Sequence, residues 1–254
     1  MNWTDMNDEA VGNWRESDLT TSALWVSHVG EAHVIPQVDG VPVRDQKFHG
    51  IFIPYIPYQF IKRFTRCDEV VWDCFAGSGT THRVAAMLER QCISNDVHPQ
   101  YDFIQQGDSK TFNPGKQVQL IMMHPPYHNI IDYGEGTLGH VGTLNDFLRD
   151  FEEVVENAVQ YLDDGRMLVL VCGNVFLYGE EITLGYLCKD IVRAYGFRLR
   201  SHVIKTYGET KAGRGKNANL QHYRGLKMGF NSFYGDNIFL LQKTPSKAFA
   251  MEVS

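Results

Sequence analysis

The chain has 254 residues, 43% hydrophobic and 21% charged, and a net charge of −6. This composition excludes a wholly disordered chain, and no apolar run comes near the ~18 residues that a membrane helix needs. Five scattered cysteines (Cys67, Cys74, Cys92, Cys172 and Cys188) form no C-x-x-C pair, which argues against a disulfide framework or a zinc ribbon.

The N-terminus lacks a basic-then-apolar signal pattern, so a cytoplasmic protein is expected. Residues 1–21 are polar and acidic and read as a loose arm, with a single domain over 22–254. From residue 69 the chain alternates strands and helices. Strands are predicted at 69–73 (EVVWD), 92–97, 103–106, 118–123 (VQLIMM), 167–172 (MLVLVC), 199–205 and 237–242. Helices are predicted at 80–90, at 143–162, where apolar residues recur three to four apart, and at 182–195. Gly196 is placed to cap the last of these in the left-handed conformation.

Alternating strands and helices imply a mostly parallel sheet with helices on both faces, and continuous apolar runs suit strands buried on both sides. Ligands of such sheets sit beyond the carboxyl ends of the strands. After the first of these strands comes Asp73-Cys74-Phe75-Ala76-Gly77-Ser78-Gly79-Thr80-Thr81, a glycine turn that opens a helix. His82 stands where a dinucleotide fingerprint needs Gly or Ala, and there is no G-K-[ST]. A pyrophosphate ligand and a nicotinamide dehydrogenase are therefore disfavoured, and a nucleoside-type ligand stays open. The second strand ends in Asp96, placed to accept hydrogen bonds from ribose hydroxyls, and the third in Gly107-Asp108. The fourth runs into His124-Pro125-Pro126-Tyr127, where the two prolines force an extended shelf with free carbonyls and Tyr127 offers a flat face to a planar base. The prolines also forbid a helix that would pair His124 with His128 on a metal, so no metal is expected.

These motifs, in this order, resemble the DNA amino-methyltransferases, which methylate adenine N6 or cytosine N4. The turn at residues 73–81 resembles the family's D-P-F-x-G-S-G-T-T, with Cys74 in place of proline, and residues 124–127 resemble its [D/N/S]-P-P-[Y/F/W]. Residues 52–57 (FIPYIP) resemble the segment beside the methionine part of the cofactor, and 223–227 and 233–243 resemble the closing region. The resemblance spans about residues 22–243. It implies a Rossmann-like class I methyltransferase fold with a mostly parallel seven-stranded sheet, and S-adenosyl-L-methionine as cofactor. Carried over, Ile53, Pro54, Asp73, Phe75, Ala76, Gly77, Ser78, Gly79, Thr80, Asp96 and Asp108 would bind the cofactor, and His124, Pro125, Pro126 and Tyr127 would hold the target base.

His124 departs from the family pattern. A neutral imidazole accepts a hydrogen bond through one ring nitrogen, and a protonated one cannot accept at all. Activity is therefore expected to fall below the pKa of His124, about 6.5 if unperturbed. With the usual Asp or Ser gone, adenine is favoured over cytosine only because N6 enzymes are the commoner members.

The charge is uneven. Eight basic residues stand against Glu209 alone between Arg198 and Lys227, a local +7 that leaves −13 for the rest. Arg198, Arg200, Lys205, Lys211, Arg214, Lys216, Arg224 and Lys227 are expected to contact DNA phosphates, and Asn217, Asn219 and Gln221 are of the type that reads adenine edges. A small DNA-recognition insertion is thus expected around 198–232, and residues 128–142 are placed to close over the site. The expected partner is DNA; a homodimer and a companion restriction endonuclease stay open. The rival readings are an amino-methyltransferase for RNA or for a protein glutamine, and an inactive methyltransferase-like binding module.

Overall fold

The computed structural model describes residues 15–26, 38–41, 52–206 and 235–245, with Tyr223, Leu226, Lys227 and Gly229. Among them the strands are β1 (Leu24–Val26), β2 (Val70–Asp73), β3 (Gln91–Asp96), β4 (Gln105–Gln106), β5 (Val118–Met123), β6 (Leu162–Cys172), β7 (Val175–Leu177), β8 (Glu180–Ile182), β9 (Phe197–Thr206) and β10 (Gly235–Lys243). The α-helices are α1 (Tyr55–Phe64), α2 (Thr80–Met87), α3 (Leu144–Val159) and α4 (Leu184–Ala194). Short 3-10 turns lie at His128–Ile130 and Leu138–His140.

Eight strands form one sheet in the order β1-β9-β10-β6-β5-β2-β3-β4. β10 runs antiparallel to both neighbours, and every other pairing in that sheet is parallel. The chain winds outward from β2 through β3 to β4 and then returns to β5 on the other side of β2. The strand order therefore reverses between β2 and β5, where a crevice opens at the carboxyl ends.

Side chains on the central strands alternate between two cores. Ile121 and Met123 of β5, with Leu168, Leu170 and Cys172 of β6, face Phe147, Phe151, Val154 and Val155 of α3 and Leu184, Cys188 and Val192 of α4. Leu120, Met122, Met167, Val169 and Val171 face the other way, onto Ile56, Phe60, Ile61 and Phe64 of α1 and Val84 and Ala85 of α2. The two helix layers thus bury both sides of the apolar runs at 118–123 and 167–172, as their sequence predicts. α3 begins at Thr143, whose hydroxyl oxygen accepts the Asp146 N–H at 3.2 Å. Gly196, at φ +84°, takes the predicted left-handed position after α4.

Several expectations are corrected. The sheet has eight strands, not seven, because β1 adds a three-residue edge parallel to β9, too short to show a period in sequence. Residues 55–64, partly read as a cofactor-side segment, form α1; Pro57 sits in its first turn, where a missing N–H costs nothing. A β7–β8 hairpin occupies the start of the predicted 182–195 helix, which begins only at Leu184. The described end of the arm is docked and not loose: Lys62 pairs with Asp18 at 2.8 Å, and the Thr20 N–H donates to Gln59 Oε1 at 2.8 Å. Residues 197–206 belong to the sheet as β9, so the expected insertion begins no earlier than 207.

Gly185 lets α4 approach β6 closely, since a Cβ there would stand 2.6 Å from the Cys172 carbonyl oxygen. Gly185→Ala is therefore expected to cost about 1–3 kcal/mol through overpacking against backbone. Thermal unfolding would read this as a Tm lowered by several degrees; an unchanged Tm would show that α4 is less tightly seated than the structure has it.

Candidate active site

The glycine turn is built by backbone hydrogen bonds to the next strand. The Ala76 N–H donates to the Asn95 carbonyl at 3.1 Å, and the Gly77 N–H donates to Asp96 Oδ2 at 2.9 Å. Asp96 Oδ1 accepts the His98 N–H at 2.9 Å, so both carboxylate oxygens are held as the chain leaves β3. Gly77 and Gly79 have φ of +48° and +75°. At Gly79 a side chain is also excluded by packing, because a Cβ would lie 2.5 Å from the Phe103 ring. Beneath the turn, the buried Asp73 accepts the Phe75 N–H at 3.2 Å. Burial pushes its carboxyl up to about 6.

A second network ties the strand ends together. Trp72 Nε1 donates to Asn95 Oδ1 at 2.8 Å, and Asn95 Nδ2 donates to Ser109 Oγ at 2.8 Å and to the Gly107 carbonyl at 3.1 Å. The Ser109 hydroxyl donates onward to the Cys74 carbonyl at 2.5 Å. Asp108 stands beside this network, with Lys110 Nζ at 3.5 Å from its carboxylate and 3.6 Å from that of Asp150.

The shelf follows β5. Tyr127 packs its ring against Gly173, just past β6, where a Cβ would fall 2.7 Å from Cε2. The Tyr127 hydroxyl donates to Asp236 Oδ1 at 2.7 Å, and Lys205 Nζ donates to Asp236 Oδ2 at 2.6 Å. His124 Nε2 lies 3.1 Å from the same hydroxyl, and the Phe52 ring leans on the imidazole at 4.8 Å between centroids. Lys205 is fully buried and Asp236 is 3% exposed. Burial alone would raise the Asp236 carboxyl, but the charge of Lys205, aided by His124 and Tyr127, holds it below the usual carboxylate range. Removing either partner of such a buried pair costs about 3–5 kcal/mol, because an uncompensated charge is left behind.

Turn and shelf line one cavity of about 370 Å³, within the size range of small-molecule sites. Its wall includes Phe52, Phe75, Ala76, Gly77, Ser78, Thr80, Asp96, Asp108, Lys110, residues 124–127, Ile130, Ile131, Tyr133, Asp150 and Asp236. Asp96, Asp108 and Asp150 stand against Lys110 in that lining, with Asp236 already paired to Lys205, and this balance suits a cationic ligand. The loop after the shelf forms part of the wall: His98 Nε2 meets the Glu135 carbonyl at 2.9 Å, and Tyr133, Thr137 and Leu138 border the cavity.

Residues 7–104 match the DNA methylase family. The match supports the DNA amino-methyltransferase family. No curated protein sequence matches the chain. Among solved structures, the O-methyltransferase of a trans-AT PKS multienzyme of Brevibacillus brevis, in complex with S-adenosyl-L-homocysteine, superposes with a TM-score of 0.50. It is 12% identical and covers 78% of this chain and 74% of its own. A methyltransferase from Pyrococcus furiosus is 12% identical over 82% of this chain and 91% of its own, with a TM-score of 0.48. TrmN from Thermus thermophilus is 15% identical over 76% of this chain, with a TM-score of 0.46, and this chain spans about half of its length (49%). The fold is that of the class I methyltransferases. Methyltransferase activity with S-adenosyl-L-methionine is thereby supported.

The residues present fit that cofactor. A positively charged nucleoside suits an acidic, partly apolar cavity, and the pinned Asp96 at a strand end suits a ribose. Phe75, Ala76, Gly77, Ser78, Thr80, Asp96 and Asp108 line the cavity together with all four shelf residues. Ile53, Pro54, Asp73 and Gly79 do not. Ile53 packs against the α1 core, Pro54 leads into α1, Asp73 lies under the turn, and Gly79 is sealed behind Phe103. From the segment 52–57 it is Phe52 that reaches the cavity. Lys110, Tyr133, Asp150 and Asp236 also border the cavity; Tyr133 and Asp236 lie in the segments 128–142 and 233–243 marked in the sequence, whereas Lys110 and Asp150 carried no motif.

One of the expected phosphate contacts is corrected. Lys205 is inside the protein on Asp236, not on a basic surface. Arg198 and Arg200 are exposed but sit near the start of β9; Arg198 aligns through β10 with Met167 and Ile204 with Cys172. At ~3.3 Å per residue, Arg198 is about 20 Å back from the carboxyl edge that holds the site. Lys227 is exposed, with Nζ 5.8 Å from the ring centroid of the exposed Tyr223. Lys211, Arg214, Lys216, Asn217, Asn219, Gln221 and Arg224 lie outside the described residues.

The acid limit expected near pH 6.5 is also corrected. Burial pushes the His124 imidazole down to about 4; Asp236 opposes this and Lys205 adds to it. His124 therefore stays neutral, and able to accept, until well below pH 5. The unfolded chain takes up that proton near pH 6.5, so acid favours unfolding and the stability contribution of His124 declines as pH falls from about 6.5 towards 4. In a pH titration followed by NMR, the His124 ring signals are expected to stay constant from pH 8 to 5. A midpoint near 6.5 would contradict the enclosure of the ring.

Proposed function

We propose that the protein transfers a methyl group from S-adenosyl-L-methionine to the exocyclic amine of a base flipped out of DNA, adenine N6 in preference to cytosine N4. The observation that carries this reading is that the glycine turn and the His-Pro-Pro-Tyr shelf line the same cavity. The cofactor, when bound, supplies a methyl group already activated on a sulfonium, so no covalent enzyme intermediate is needed. Phe75, Ala76, Gly77, Ser78, Thr80 and Asp96 would hold it, with Asp108 near its adenine. The family match over residues 7–104 favours DNA over RNA or a protein amide, and adenine is favoured as the commoner target of the family.

The work left to the chain is alignment and polarisation of a weak nucleophile. An exocyclic amine is conjugated into its ring. Hydrogen bonds from it to His124 and to the Pro125 carbonyl would localise electron density on nitrogen. The prolines keep that carbonyl out of any ladder, and Met123 ends the strand just before it. Taking a base out of a duplex costs a few kcal/mol. Tyr127 would return part of this by stacking, worth ~1–3 kcal/mol. The exposed Tyr223 and Lys227 support a nucleic-acid contact in the region that the sequence marks as basic.

The test incubates the purified protein with unmethylated DNA and methyl-labelled S-adenosyl-L-methionine, then digests the DNA and identifies the labelled nucleoside by mass spectrometry. Label on deoxyadenosine N6 is expected. Label on deoxycytidine N4 would correct the base, and label appearing only on RNA would overturn the DNA reading. Tyr127→Ala is expected to lower turnover about tenfold to a hundredfold while cofactor binding persists, and wild-type turnover in that variant would remove Tyr127 from the base site.

A further inference from the structure

Four side chains from three parts of the chain form one hydrogen-bonded line that ends on the shelf: Lys205 of β9, Asp236 of β10, then Tyr127 and His124. The protons in this line can be placed one by one. Lys205 holds Asp236 ionised, so Asp236 only accepts. The Tyr127 hydroxyl has a single proton, and it points at Asp236 Oδ1 at 2.7 Å. What remains on Tyr127 Oη towards His124 is lone pairs. Nε2 of His124, 3.1 Å away, must then carry the ring proton and donate it. A neutral imidazole has one N–H, so Nδ1 is left bare.

We infer that the buried Lys205–Asp236 pair acts through Tyr127 to hold His124 in its Nε2-protonated neutral form, leaving Nδ1 as the nitrogen that accepts from the target amine. Lys205 and Asp236 are positioning residues on this account. The inference rests on the amino-methylation reading only for the use made of Nδ1; the tautomer itself follows from the line of hydrogen bonds. It also supplies a physical reason for how histidine can stand at a position where the related pattern has Asp, Asn or Ser. Those residues need no choice of tautomer to present an acceptor oxygen, whereas a histidine free to exchange tautomers would offer an N–H to the amine part of the time. Phe52, leaning on the ring at 4.8 Å, restricts its rotation as well.

The test reads the ring nitrogens of His124 by 15N NMR in the full chain at pH 7, with no DNA or cofactor added. The signals are assigned by their disappearance in His124→Asn. Wild type is expected to show a protonated Nε2 and a bare Nδ1. In Tyr127→Phe, which keeps the ring and loses only the hydroxyl, the two nitrogens are expected to move towards averaged values. Lys205→Met/Asp236→Asn, which removes both buried charges together, is expected to shift them the same way; if that double variant does not fold, Tyr127→Phe decides alone. In turnover, Tyr127→Phe is expected to lower kcat about tenfold with the KM for S-adenosyl-L-methionine unchanged, and to cause no further loss in a His124→Asn background. A proton on Nδ1 in wild type, or a tautomer that ignores Tyr127→Phe, overturns the inference whether or not the protein methylates DNA. Failure to methylate DNA with the expected tautomer in place overturns only the choice of substrate.

Discussion

The central strands are buried on both faces, and the rest of the molecule follows from that constraint. β5 and β6 send alternate residues into two separate cores, so neither face has room for a polar group or a ligand. Chemistry is confined to the rim, where the strands end and their last carbonyls and N–H groups need partners. At the switch between β2 and β5 the rim opens, and both functional turns fall there. The Asn95 amide, bridging Trp72, Gly107 and Ser109, ties the strand ends together beneath the cavity.

Charge is divided between two tasks. The cavity is lined by several carboxylates, which suits the cationic cofactor of the proposed reaction. Basic residues cluster in the sequence between Arg198 and Lys227, but among the described ones Arg198 and Arg200 sit near the start of β9 and Lys205 is internal. A charge count along the chain therefore overstates the exposed positive charge of the described residues. Lys205 shows the reason: a strand places successive side chains on opposite faces, and position in the sheet decides whether a cation meets solvent or a buried carboxylate.

The use of histidine as the first shelf residue carries a structural cost that the surroundings meet. A half-buried imidazole in this setting resists protonation, which keeps it an acceptor in acid, but desolvation by itself does not choose between its two nitrogens. The choice falls to Tyr127 and, behind it, to a carboxylate that lies 109 residues away in the chain. Tyr127 thus serves in two ways, with its ring packed against Gly173 and its hydroxyl beside its neighbour's Nε2.

Much of this was legible in the sequence. The apolar runs at 118–123 and 167–172, the helical spacing of Phe147, Phe151, Val154 and Val155, and the glycine after the last helix all encode local geometry, because strand and helix periods and left-handed caps are properties of short segments. The turn at 73–81 and the shelf at 124–127 were readable for the same reason, since glycine and proline impose their conformations wherever they stand. Asp150 and the burial of Lys205 were not readable, and Phe52 and Asp236 were marked only as members of the segments 52–57 and 233–243. Each joins the site through contacts between distant segments. By itself the sequence determined which segments are strands, helices and rigid turns. Only the tertiary structure decided which side chains meet at the rim and which charge each one carries there, because pairing and burial are set by the packing of the whole sheet and not by any stretch of it.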